Sequence, residues 1–377
     1  MRISTQMMYQ ISNGDMTKMQ SDIVKLNQQV TAQQRVLLPS DDPVAAARAL
    51  DVTQSQELNA QYAINRKNAS SSLAQVQATL TSTTEMLTSL KSNVIKAGNA
   101  SFTNTERINL ATELKGNFQE LLGYANATDG NGNYVFSGFK STTQPFSLDG
   151  NGNVNYSGDQ GSMTLQVDSS RQMDISASGQ SIFQGGGQDM FQTMNNIIGL
   201  MSIPVTEAAN LADEAAANTF EYPTGSGSFP IQEYKDAQAA LDAAKPDDAN
   251  YGTLFSTAAA AKLKADAADA ARTPLAGSQA SLTRNLQKFN TQIDTMINNV
   301  GSASASVGAR QNELDTLDAA GKVKDESYSQ TLNNLLGRNT EDVTQLISQY
   351  SLSTQYLQAA QKVFVTTSSL SLLNYLK

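Results

Sequence analysis

The chain has 377 residues, enough for two or three domains, and contains neither cysteine nor histidine. Disulfides, thiolate metal sites, HExxH zinc centres and histidine-based triads are thereby excluded, and only carboxylate or lysine chemistry stays open to an enzyme. A formal net charge of −9, with Lys and Arg scattered singly, supplies no basic stripe for nucleic acid, and no window approaches the ~18 apolar residues that cross a bilayer.

The first element in chain order is a helix whose apolar residues recur every seven positions: Tyr9, Met16, Ile23, Val30 and Leu37. A second seam beside it, Met19 and Leu26, decays into Gln33. The pattern is coiled-coil-like, with one good seam and one poor one. Pro39 disfavours helix at Leu38 and so separates this helix from the next. In LLPSDDPVAAA (37–47), Pro43 suits the first helical position and Asp42 the N-cap, while Asp41 adds negative charge at the positive helix end. Pro39, Ser40, Asp41, Asp42 and Pro43 therefore read as a stop, a corner and a capped restart. A catalytic carboxylate pair would need a cleft, and nothing nearby suggests one.

The next helix carries Leu73, Leu80, Leu87 and Val94 on one seam, with Tyr62, Ala69, Val76 and Leu90 alongside. After a break at Gly98 to Asn104, Thr103 and Glu106 have capping-box spacing, and Ile108, Leu110, Leu114, Phe118 and Leu121 carry a third helix. From Asp129 to about Gln180 the helical period gives way to the alternating pairs Tyr134/Phe136, Val154/Tyr156, Leu165/Val167 and Met173/Ile175, which predict β-hairpins. The run DGNGN occurs at 129–133 and 149–153. An EF-hand would need glycine where Tyr134 or Val154 stands and a bidentate glutamate where Lys140 or Gln160 stands, so both runs read as turns.

Residues 185 to about 275 look like an outward insertion, opened by Gly185-Gly186-Gly187. It contains the loop YPTGSGSFP (222–230) and Ala-rich helical stretches at 238–244 and 258–271. Leu286, Ile293, Val300, Val307 and Leu314 then repeat at seven, accompanied by Leu282, Phe289 and Met296. The last seam is Leu336, Val343, Tyr350, Leu357 and Phe364, with the half-polar companions Leu346, Ser353, Ala360 and Thr367.

This near-palindromic order predicts a mainly α fold with a β-rich middle. Its parts are antiparallel N- and C-terminal coiled-coil helices (1–42 with 338–377), a helical rod (43–128 with 276–337), a β-hairpin region (129–182) and an outer inserted domain (183–275). Isolated helices are marginal because nucleation is unfavourable, and a seam holding Gln33, Ser353 and Thr367 buries too little for one pair. Either further copies of the same ends or a monomeric bundle closing on itself supplies the missing burial.

Five stretches together resemble the flagellin family. RVLLPSDDPVAAARAL (35–50) is similar to the motif that comes after the family's first terminal helix. NYVFSGFKSTTQPF (133–146) resembles its hairpin segment, with Phe136, Gly138, Pro145 and Phe146 on the marked positions. VGARQNEL (307–314) resembles the return helix, and LSLLNYLK (370–377) the C-terminal end. The opening MRISTQMMY (1–9) is closer to members at the hook–filament junction than to flagellin itself. These matches frame roughly 1–146 and 280–377.

The resemblance implies a structural adaptor that joins the hook side of a flagellum to the flagellin filament by helical self-assembly, without catalysis, cofactor or metal. It implies an extracellular location reached through the flagellar type III apparatus; the N-terminus has no continuous apolar core of a Sec signal peptide. The implied partners are further copies of the chain, the first hook-associated protein, flagellin and an export chaperone over the C-terminal helix, with neither nucleic acid nor membrane. Both terminal helices are expected to order only on assembly, with Ser40 to Pro43 setting the angle between inner tube and rod. A minor flagellin is the near alternative and a secreted type III translocator a more distant one. The zinc protease carried by some flagellins is ruled out by the absence of histidine.

Overall fold

Seven-residue periodicity in the sequence becomes helix almost wherever it occurs. The computed structural model describes residues 5–99 and 101–375, so positions 1–4, 376 and 377 of the family-like ends lie outside the described residues. The elements are α1 (Thr5–Ala32), α2 (Pro43–Ala97), α3 (Asn104–Ala125), β1 (Phe146–Leu148), β2 (Val154–Tyr156), β3 (Thr164–Asp168), β4 (Arg171–Asp174), α4 (Gly179–Phe183), α5 (Met190–Ser202), α6 (Glu207–Asn218), α7 (Pro230–Ala243), α8 (Tyr251–Ala271), α9 (Gln279–Leu336) and α10 (Thr340–Tyr375). The chain is mostly helical with a small strand region in the middle. It forms two units, one from 1–68, 166–172 and 313–377, the other from 69–165 and 173–312.

In the first unit α1 packs against α10 in antiparallel fashion. Tyr9 meets Phe364 edge to face at 5.7 Å, and Asn27 Nδ2 donates to the Tyr350 hydroxyl at 3.3 Å. The unit also contains Arg66, whose buried guanidinium donates to the Val167 carbonyl at 3.1 Å and lies 3.5 Å from Asp318. With Asn65 donating to the Gln166 carbonyl at 2.7 Å, it pins residues 166–168 to the helices of this unit.

In the second unit the seams Leu73/Leu80/Leu87/Val94 and Leu286/Ile293/Val300/Val307 are buried. Polar rungs join α2 to α9 at their margin, Gln77 to Ser304 at 2.6 Å and Lys91 to Asp294 at 2.5 Å. Thr103 and Glu106 form the expected capping box at the start of α3. The other core is aromatic: Phe136, Phe146, Phe183 and Phe191 are fully or almost fully buried, and neighbouring rings lie 5.3–6.2 Å apart. β1 pairs with β2 in the register Phe146↔Tyr156 and Leu148↔Val154, while β3 and β4 form the second two-stranded sheet. In both DGNGN turns an aspartate (Asp129, Asp149) accepts the N–H groups two and four residues on, each at 2.8 Å.

Three expectations are corrected here. Tyr134 and Phe136 are not strand residues: Tyr134 makes a single bridge to Thr128, and Phe136 is drawn into the aromatic core. Ile175 falls beyond β4. Residues 190–202 are not part of an outward insertion but form α5, which packs on α3 through Phe191 against Phe118 at 6.0 Å.

After α5 the chain builds a small helical lobe, α6 to α8, closed by a charged cluster. Arg272 donates twice to Asp213, at 2.9 and 3.1 Å, and once to Asp269 at 2.7 Å, while the Leu275 N–H adds 2.7 Å to Asp213. Burial alone would raise the Asp213 carboxyl, but the Arg272 and Leu275 hydrogen bonds outweigh it and hold the group below the usual carboxylate range.

Candidate functional site

Two helices, α1 and α9, end by the same device. Gln33 (φ 53°) and Gly337 (φ 64°) sit in the left-handed region just past each helix, and the next N–H groups reach back five residues, Gln34 to the Gln29 carbonyl at 3.1 Å and Arg338 to the Asn333 carbonyl at 2.7 Å. Two helices then restart under side-chain caps: Asp42 accepts from the Ala45 N–H at 3.0 Å for α2, and Asn339 from the Asp342 N–H at 2.7 Å for α10.

These turns, some 300 residues apart in sequence, are hydrogen-bonded to one another. The Arg35 and Val36 N–H groups donate to the Leu336 carbonyl at 3.0 and 3.1 Å, and Arg338 Nε donates to Gln34 Oε1 at 2.8 Å. Buried Gln29 donates to the Arg35 carbonyl at 2.5 Å. Gly337 is required twice over: its φ is positive, and a Cβ there would lie 2.5 Å from Arg35 Cβ. Arg35 also faces Asp42 at 3.7 Å and Asp342 at 4.0 Å, long and exposed pairs that contribute little.

Asp41 ties the corner to α1. Its carboxylate is 2.7 Å from Lys25 Nζ and accepts the Leu37 and Leu38 N–H groups at 3.0 and 3.1 Å. The Lys25 hydrogen bond, then that of Leu38, hold the carboxyl below the usual range against the opposing effect of burial. A group depressed in the folded state stabilises above its unfolded value, about 3.9, and loses that contribution as pH falls through the folded value. The amide chemical shifts of Leu37 and Leu38 should therefore titrate together below about pH 4, and Asp41→Asn should abolish that titration.

Beyond this joint, the seam positions Tyr9, Met16, Ile23, Val30, Val343, Tyr350, Leu357 and Phe364 are all half-buried, and none is fully covered. Val24, Ile347, Tyr356, Val363 and Val365 are exposed apolar side chains of the same helices. The two outermost seam positions are corrected. Leu37 lies in the turn after α1, because Gln33 ends the helix before Pro39 can, and Leu336 is the last residue of α9 rather than part of the terminal helix. Phe136 and Phe146 belong to the aromatic core, Gly138 (φ 67°) backs onto the Asp159 carbonyl, and Pro145 accepts the Ser157 N–H at 2.7 Å. Among the described residues no group of carboxylates is arranged to hold a metal ion, and no helix is long and apolar enough to cross a membrane.

Residues 3–141 match the bacterial flagellin N-terminal helical region. Over 375 residues, 99% of this chain and 98% of the relative, the chain is 30% identical to the flagellar hook-associated protein 3 of Escherichia coli (strain K12). The chain belongs to the flagellar hook-associated protein 3 family. The same identity and coverage relate it to the flagellar hook-associated protein 3 of Salmonella typhimurium. The fold agrees with two solved structures from Legionella pneumophila. The flagellar hook-associated protein-3 covers 78% of this chain and all of that one at 18% identity and a TM-score of 0.54, and the flagellar junction protein FlgL covers 77% and 100% at 17% and 0.52.

In this hook-associated protein 3 family member, the matched 3–141 region carries α1 and the first turn of the joint, whereas the lobe α6 to α8 lies outside it. Sequence reading located Asp41, Asp42 and Pro43 but not Lys25, Arg35 or Gly337. The one local sign of the second turn is the Gly337-Arg338-Asn339 run after a long helical pattern, a helix-stop composition.

Proposed function

We propose that this chain is the structural adaptor between the hook side of the flagellum and the flagellin filament, assembling with further copies of itself through α1 and α10. The full-length similarity to hook-associated protein 3 carries the reading. The half-buried seam supports it physically. Covering the exposed half of an apolar side chain contributes about 1 kcal/mol, so several covered together approach the ~5–15 kcal/mol that holds a domain.

On this reading 1–42 with 338–377 form the inner terminal coiled coil, 43–128 with 276–337 the helical rod, 129–182 the hairpin region and 183–275 the outer part, of which α5 belongs to the core. The neighbours are the first hook-associated protein on one side and flagellin on the other, with a chaperone over the C-terminal helix before export through the flagellar type III apparatus. No catalytic role is assigned. A strain lacking the chain should export flagellin into the medium without retaining filaments, and the full chain should restore them. Normal filaments in the deleted strain would contradict the adaptor role.

A further inference from the structure

Among the described residues the methionines of α1 are exposed or half-buried, and those of the second unit are buried except for the half-buried Met163. On α1, Met7, Met8 and Met19 are 55%, 43% and 37% exposed, and Met16 is half-buried among them. In the second unit Met173, Met190, Met194, Met201 and Met296 are at most 2% exposed. Met8, Met16 and Met19 line a groove of about 400 Å³ between α1 and α10, together with Tyr9, Val363 and Phe364. The chain has no cysteine, so no thiol competes for an oxidant.

We infer that Met8, Met16 and Met19 form an oxidation site at which peroxides switch off the assembly-competent surface of the terminal helices. The reaction is a two-electron oxygen transfer. The thioether sulfur attacks one oxygen of hydrogen peroxide, and an S–O bond forms as the O–O bond breaks. The departing hydroxide takes the proton from the transferred oxygen, directly or through solvent, and leaves as water. Sulfur is oxidised to the sulfoxide and the peroxide is reduced. The product puts a strong hydrogen-bond acceptor into a groove lined by Tyr9, Ala360, Val363 and Phe364 and by the polar Ser12, Asp15 and Thr367, and the cost of desolvating that acceptor opposes covering by another helix. The inference rests on the proposed assembly through α1 and α10. It confines the sensitivity to the free subunit, because the assembled helices are covered.

The test treats the full-length chain with hydrogen peroxide, follows each methionine peptide by mass spectrometry, and adds the protein to cells lacking it. Met8 and Met19 should oxidise at least about tenfold faster than Met190 and Met194. The oxidised chain should lose most of its ability to restore filament attachment and regain it after treatment with methionine sulfoxide reductases. The Met8→Leu/Met16→Leu/Met19→Leu variant, which conserves volume, should lose no attachment through the peroxide step relative to its own untreated sample, whatever level that sample starts from. Equal oxidation rates across the chain, or an oxidised chain as competent as the untreated one, would overturn the inference while leaving the adaptor role intact. Failure of the untreated chain would remove the adaptor reading, and this inference with it.

Discussion

Replacing Gly337 by valine should open the joint between the α1 and α9 turns and leave cells without attached filaments. A β-branched residue at φ 64° is strained by about 1–2 kcal/mol or more, and the new Cβ, 2.5 Å from Arg35 Cβ, cannot be accommodated without moving that residue. Moving Arg35 breaks its N–H bond to the Leu336 carbonyl and the Val36 bond beside it, each contributing about 1 kcal/mol. The joint should therefore weaken by roughly 3–4 kcal/mol, read as faster hydrogen exchange at the Arg35 and Val36 amides. Adding Arg35→Gly removes the clash but not the backbone strain, so partial recovery separates the two causes. Unchanged exchange together with normal filaments in the valine variant would mean that the turns are not interlocked.

The second large effect is expected at Asp213→Ala. Asp213 and Arg272 are 5% and 9% exposed as side chains, and the substitution leaves the guanidinium with Asp269 alone and the Leu275 N–H without an acceptor. Breaking a buried pair from one side costs about 3–5 kcal/mol, and the remaining Asp269 contact places this case near the lower end. The lobe α6 to α8 should become sensitive to protease around 204–206 and 272–278 while the aromatic core of the second unit stays protected. The double change Asp213→Leu with Arg272→Met removes both charges and should recover most of the loss. A lobe equally resistant in Asp213→Ala would show that the ion pair does not hold it closed.

How much of this was legible in the sequence depended on how local the determining contacts are. The buried seams Leu73 to Val94 and Leu286 to Val307 announce themselves, because a helix buried along one face must repeat its apolar residues. Thr103 with Glu106, and Asp42 with Pro43, are caps decided within a few residues. The misses share the opposite property. Helix α5 was missed although Met190, Met194, Ile197 and Met201 recur at helical spacing, because the Gly185-Gly186-Gly187 run before it reads as the opening of an insertion. The rings at 118, 146 and 183 that cover Phe191 come from elsewhere in the chain. Phe136 alternates with Tyr134 as in a strand, yet tertiary packing on Phe183 overrides the pattern. The α1 stop at Gln33 carries neither glycine nor asparagine, so the break was expected nearer Pro39. The fit of Arg35 against Gly337 joins residues at opposite ends of the chain and leaves no local trace in the sequence.

The most direct measurement is immunogold electron microscopy of intact flagella with an antibody against the α6 to α8 lobe, residues 207–271. A single narrow band between hook and filament is the expected result. Label along the whole filament would make the chain a filament subunit and contradict the adaptor account.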